Sequence, residues 1–362
     1  MDQSVHAKKP SGSINYSFVD TIRCISMIGI VFLHCSVFWG VKYTSFSETI
    51  IETAVMQVLK FSTIAFFLIG GFLINHKFNE YTAVQYLKNR FKNTVKPWLF
   101  WVGVFFVLDI IGQVIISLRF GSSDASDNLP KYLIEETGHI LFYTSYWFIP
   151  NFLICIALLL IFRKYLYNIW FGIFLGMLSV FYSVNLYGNW VPTEHSTALF
   201  GFVFYLWLGV MLNKHFQKAI AFINKTTWNK LILINIIFFI LSVVEGIYLN
   251  RLGSGDSFDT LKFTNILYSL SMFAALLKIG GIDFIQNKLN PRHTTFGIYL
   301  IHQVLIVNVL PLIFTPLKIN PTLLNASSNI ILTLVRFVIV YLLSFFLTVG
   351  IGKTKMKWVV GQ

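Results

Sequence analysis

Charge is scarce in this sequence. Asp, Glu, Lys and Arg make up 12% of the 362 residues, about half the share found in soluble domains. Too little polar surface is left to cover a core of this size, so an ordinary cytosolic enzyme is excluded. Cysteine is nearly absent as well. Cys24, Cys35 and Cys155 each lie in an apolar run, and no C-x-x-C pair occurs. That removes a disulfide framework, and no metal site is expected. There is no internal repeat relating one half of the chain to the other, which argues against a typical secondary transporter. What the sequence does have is apolar bulk: 56% hydrophobic residues, 37 of them Phe. This composition points to an all-α, polytopic membrane protein.

About 20 apolar residues span a bilayer as a helix. Ten segments qualify: 17–40, 54–75, 97–118, 142–162, 168–186, 197–213, 229–249, 263–282, 295–315 and 329–351. In the second, Glu52, Gln57 and Lys60 make the start polar, so the span proper is expected from Phe61. The first apolar run is too long for a signal-peptide core and reads as a retained span. The net charge of +13 is explained by topology rather than by nucleic acid. With the N-terminus inside, inner segments hold 19 of the 28 basic residues and outer segments 7. The asymmetry predicts ten spans with both ends cytoplasmic. The inner set begins with Lys8 and Lys9; the longer outer loops carry acids such as Asp124, Asp127, Asp256 and Asp259. The expected organisation is a tail over 1–16, a transmembrane unit over 17–351 and a cytoplasmic tail over 352–362.

Ionisable side chains inside spans are costly, so each is a functional candidate. They are Asp20, Arg23, His34, Asp109, Glu245, His302 and Arg336. Arg23 and His34 are 11 positions apart, which returns them to one helix face about 16 Å apart along the axis. Asp20 shares that face as the charge partner of Arg23. A snorkelling arginine and a hydrogen-bonded core histidine would give the same residues. Between spans two and three, Lys88, Arg90, Lys92 and Lys96 precede Pro97, a helix starter. Such a run sets topology, or holds a phosphate at the helix N-terminus. Tyr146 and Trp147 open the fourth segment, where an aromatic belt is the simplest reading.

These pieces, in this order, resemble acyltransferase family 3, the bacterial integral-membrane O-acyltransferases that modify cell-surface glycans. The resemblance covers nearly the whole chain. It is carried by Asp20-x-x-Arg23 with His34, and by Phe66-Phe67-Leu68-Ile69-Gly70-Gly71-Phe72-Leu73. The basic run ending in Pro97, Tyr146-Trp147-Phe148, and Phe296-Gly297-Ile298-Tyr299-Leu300-Ile301-His302 complete it. It implies that Arg23 and His34 are functional residues, with Asp20 beside them. It also implies an acyl-CoA donor, acetyl-CoA above all, held by a cytoplasmic Arg-x-x-Arg pair. Here Arg90 fills the first place, but Asn93 stands at the second, with Lys92 and Lys96 as substitutes. The serine of the family's "SG" is Gly70. Trp147, Tyr299, His302 and Glu245 are secondary site candidates.

The expected activity is transfer of the acyl group to a hydroxyl of an exported or surface glycan, or of a lipid-linked sugar, at the cytoplasmic (inner) membrane. A hydroxyl needs a base to become a nucleophile. His34 has a suitable unperturbed pKa and acts either as that base or as a transient acyl carrier. The partners are then acyl-CoA, the glycan acceptor and the bilayer, with no nucleic acid. A flippase for a glycan precursor and a non-catalytic subunit with the same fold are the alternatives.

Overall fold

The computed structural model describes residues 16–121, 128–194 and 196–362. Lys8, Lys9, Asp124 and Asp127 lie outside the described residues. The protein is all-α, and the described residues contain no strand. Helix α1 (Ser17–Cys35) is followed by α2 (Phe46–Val58), α3 (Ser62–Glu80), α4 (Ala83–Arg90) and α5 (Lys96–Phe120). Then come α6 (Leu129–Phe142), α7 (Phe148–Ile161), α8 (Ile169–Gly188), α9 (Val203–Lys214) and α10 (Phe216–Lys225). The chain continues as α11 (Trp228–Arg251), α12 (Phe263–Ile279), α13 (Pro291–Val304), α14 (Leu310–Phe314) and α15 (Ala326–Gly352).

Seven helical stretches are long and apolar enough to cross a membrane by length and composition. An eighth arises if Leu129–Phe142 and Ser145–Ile161, bent by 67°, form one crossing. The remaining two expected segments are shorter apolar helices, Val203–Lys214 and Phe263–Ile279. The first of these has only 12 residues, about 18 Å of helix, because residues 197–202 form turns rather than the expected helix. The polar start of the second segment also resolves physically. Helix α2 ends at Val58, and α3 begins at Ser62 after a break at residues 59–61.

Two apolar cores flank α1. Phe18, Val19 and Ile22 pack into one with Phe67 and Phe72 of α3 and Leu206 of α9. Met27, Val31 and Cys35 pack into the other with Phe105 of α5, Ile298 to Ile301 of α13 and Val340 of α15. Helices α3 and α9 meet backbone to backbone. A Cβ at Gly71 would strike the Leu206 carbonyl, and one at Gly209 would strike that of Leu68. The two glycines thus permit an approach that no other residue allows.

The Tyr146–Trp147 turn is not an interfacial belt. Tyr146 is fully buried and Trp147 nearly so. The Tyr146 hydroxyl donates to the Leu300 carbonyl at 2.8 Å, and the Tyr299 hydroxyl donates to the Ser145 carbonyl at 2.7 Å. This reciprocal pair pins α13 to the bend before α7. The segment after α15, expected as a tail, folds back on the bundle. Its Val359 and Val360 are buried, the Trp101 indole donates to the Val359 carbonyl at 2.8 Å, and Gln362 Nε2 donates to the His293 carbonyl at 2.7 Å.

Candidate active site

The site grows from the polar end of α1. Asp20 lies in its first turn and is buried. Arg23 Nη1 lies 3.2 Å from Asp20 Oδ1, which is the i,i+3 ion pair expected from the sequence. Arg292, in the first turn of α13, reaches the same carboxylate with Nε 3.0 Å from Oδ2. One buried acid thus joins the starts of two helices.

Above this pair a cavity of about 340 Å³ opens between the two apolar cores. Arg23, Met27 and Ile30 of α1 line one wall; Phe66, Ile69, Gly70 and Leu73 of α3 line another. Phe148 and Phe152 of α7 and Thr295, Phe296 and Tyr299 of α13 supply further lining, mostly apolar. The polar end is completed by Arg90, Asn93 and Thr94. They sit at a wide π-helical turn, Phe91–Val95, closed by the Lys96 N–H to the Phe91 carbonyl. Such turns concentrate at functional sites. Gly70 stands where a Cβ would meet the Phe152 ring, so a serine there would require that ring to move.

The electrostatics of the polar end are one-sided. Three guanidiniums, Arg23, Arg90 and Arg292, border the cavity, and no carboxylate among the described residues does. Asp20, just behind the wall, pairs with Arg23 and Arg292. That leaves two positive charges in excess. Arg90 is held by its own helix: its Nε donates to the Tyr86 hydroxyl at 2.7 Å, and its guanidinium lies 5.1 Å from the Tyr86 ring centroid. The N-terminus of α13 adds the positive end of a helix dipole. Forked guanidiniums at a helix N-terminus suit a phosphate group. The apolar end suits a flexible chain of low polarity.

The sequence-derived candidates separate clearly. Asp20, Arg23, Arg90 and Tyr299 come together at this cavity. Lys92 is exposed and does not line it, and the Lys96 ammonium lies 4.5 Å over the Trp358 ring instead. Arg292 stands in their place. It was legible only as a basic residue after a helix-starting Pro, ten positions before His302, much as Arg23 precedes His34 by eleven. His34 lies one turn beyond Ile30, and its ring centroid is 5.5 Å from that of His302. Trp147 packs against Phe148 and Phe202 beside the cavity.

Three other candidates have structural partners. Glu245 accepts from the Tyr187 hydroxyl at 2.7 Å and from the backbone N–H groups of Phe263 and Thr264 at 3.2 and 2.9 Å. It caps the start of α12 and does not line the cavity. Asp109 accepts from the Tyr132 hydroxyl, and Arg336 Nε donates to the Cys35 carbonyl at 2.9 Å.

The family model for an acyltransferase domain matches residues 16–353. No curated protein and no solved structure matches the chain.

Proposed function

Because the chain belongs to this acyltransferase family, we propose that it transfers an acyl group, acetyl in the first instance, from cytoplasmic acyl-CoA to a hydroxyl of a surface or exported glycan or a lipid-linked sugar. The observation that carries this reading is the three-arginine cavity with its apolar continuation toward His34. Arg23, Arg90 and Arg292 hold the phosphates of the donor, with guanidinium forks matched to phosphate oxygens. The apolar walls take the pantetheine arm and carry the thioester toward the histidine. His34 removes the proton of the acceptor hydroxyl as general base.

In this reading the multi-pass chain lies in the cytoplasmic membrane with both ends inside, which its basic inner segments support. The donor then enters at the arginine end, and the acceptor meets His34 from the outer side. The flippase reading has nothing comparable in its favour, since three converging arginines beside an apolar slot suit a tethered anion better than a sugar.

The deciding experiment uses purified protein in lipid nanodiscs with labelled acetyl-CoA, alongside mass spectrometry of surface glycans from cells with and without the gene. The expected result is coenzyme A binding in vitro and loss of O-acyl groups in the deletion, restored by wild type and not by His34→Gln. Identical glycan acylation in the two strains, together with absent coenzyme A binding, would overturn the proposal.

A further inference from the structure

One turn past the last lining residue on each of the cavity's two main helices, Ile30 and Tyr299, stands a histidine. On α1 the lining row is Arg23, Met27 and Ile30, and the next residue on that face is His34. On α13 it is Thr295 and Tyr299, and the next is His302. The two rings lie 5.5 Å apart between centroids with their planes at 48°. Thus the rows that begin at a shared carboxylate, Asp20, converge again on a pair of imidazoles.

The tautomer of His302 follows from its contacts. His302 is fully buried, and its Nδ1 lies 2.6 Å from the Tyr299 carbonyl oxygen and 3.2 Å from that of Ile298. A carbonyl can only accept, so Nδ1 carries the hydrogen and Nε2 presents a lone pair. That buried Nε2 has no hydrogen-bond partner among the described residues. Buried acceptors are seldom left in this state, and a catalytic role is one of the reasons for the exceptions. The backbone contacts fix the ring, and Tyr299 is itself anchored to the Ser145 carbonyl.

We propose that His302 is the positioning residue for His34, its Nε2 serving as a fixed acceptor for a ring N–H of His34. This rests on the reading of His34 as general base. The acceptor hydroxyl gives its proton to one ring nitrogen of His34, and its oxygen bonds to the acyl carbon. The carbon–sulfur bond breaks, and the departing thiolate takes that proton to leave as free coenzyme A. His302 neither gains nor loses a proton. It holds the other N–H of His34 and stabilises the imidazolium formed in between. Catalytic hydrogen bonds are often long before substrate binds and tighten in the reacting complex, which fits the spacing of the two rings.

Two readouts test this on the full-length protein in nanodiscs. In steady-state transfer, His302→Leu should lower kcat by roughly 10²-fold with KM for acyl-CoA unchanged. His302→Gln, which restores an acceptor oxygen near the Nε2 position, should recover much of that loss. In the second readout, His34 is modified with diethylpyrocarbonate and its rate followed by mass spectrometry. Holding one N–H raises the nucleophilicity of the opposite nitrogen, so His302→Leu should slow the modification several-fold and His302→Gln less so. This readout needs no acyl transfer. Lack of transfer by wild type would refute the proposed function while the modification rates still judge the pair. If His302→Leu does not fold, His302→Gln and His302→Asn are compared, with the Gln variant expected to be faster in both assays. Near wild-type kcat and His34 modification in a folded His302→Leu variant, or Gln and Asn variants that behave alike, would overturn the proposal.

Discussion

Asp20 and Arg292 are 272 residues apart in sequence and 3.0 Å apart in space. Their contact ties the first helix to a late one and adds a third cation to the cavity. Arg292→Ala should weaken coenzyme A binding by about 1.5–3 kcal/mol, the scale of a hydrogen bond to a charged group. Arg292→Lys should recover only part, because a point charge replaces a fork. Titration calorimetry in nanodiscs measures both; full affinity in Arg292→Ala would remove this residue from the donor site.

Arg90 faces the same cavity from the π-helical turn. Arg90→Ala should cost a similar 1.5–3 kcal/mol, roughly, in donor binding. Asn93 lines the cavity beside it, so Asn93→Arg should tighten binding. The pair is informative because the two changes move affinity in opposite directions at neighbouring positions. A uniform loss would indicate damage to the turn rather than altered phosphate contacts.

His34→Gln should abolish detectable transfer while leaving expression and coenzyme A binding intact, since an amide cannot take a proton. General-base help is worth about 10²- to 10⁴-fold. His302 cannot be the control for this experiment, because its ring adjoins His34. His139 is the better choice: it is exposed and stacks on Tyr143 near Glu136. His139→Gln should transfer at the wild-type rate.

Glu245 predicts the opposite phenotype. Its carboxylate collects the first N–H groups of α12 and the Tyr187 hydroxyl. Glu245→Ala should lower the unfolding temperature, with a cost of about 2 kcal/mol for losing a charged cap. Affinity for coenzyme A in the folded fraction should not change. A stable variant with weakened donor binding would return Glu245 to the functional site.

Topology can be read by thiol labelling in intact cells. Cys24, Cys35 and Cys155 are all buried, so the background is low. Cysteines placed at the exposed positions Val84 and Lys353 should be protected from an impermeant reagent. Those at Lys131 and Leu323, also exposed, should react. Labelling at position 84 from outside would reverse the assigned orientation.

The legible part of this protein was whatever depends on local periodicity. Asp20, Arg23 and His34 share one helix, so 3.6 residues per turn placed them together before any tertiary information. Long apolar runs likewise marked the helices. What escaped depends on packing between distant segments. The Asp20–Arg292 contact leaves no periodic trace, so Lys92 and Lys96 stood in for Arg292. An acid inside a span looks the same whether it caps a helix, as Glu245 does, or serves chemistry. Lys60 marked only a polar start in the sequence, yet it is buried with its ammonium 5.2 Å from the Trp39 ring centroid.

The two helix rows also set a gauge length. From Arg23 to His34 is eleven residues of helix and from Arg292 to His302 ten, or ~15–16 Å. A donor gripped by its phosphates reaches the far end only through an arm of matching reach. Truncated thioesters that keep the acyl group but lack the nucleotide should therefore be poor donors, however reactive their carbonyl. The protein would sort its donors by the length of their tether before it sorts them by the group they carry.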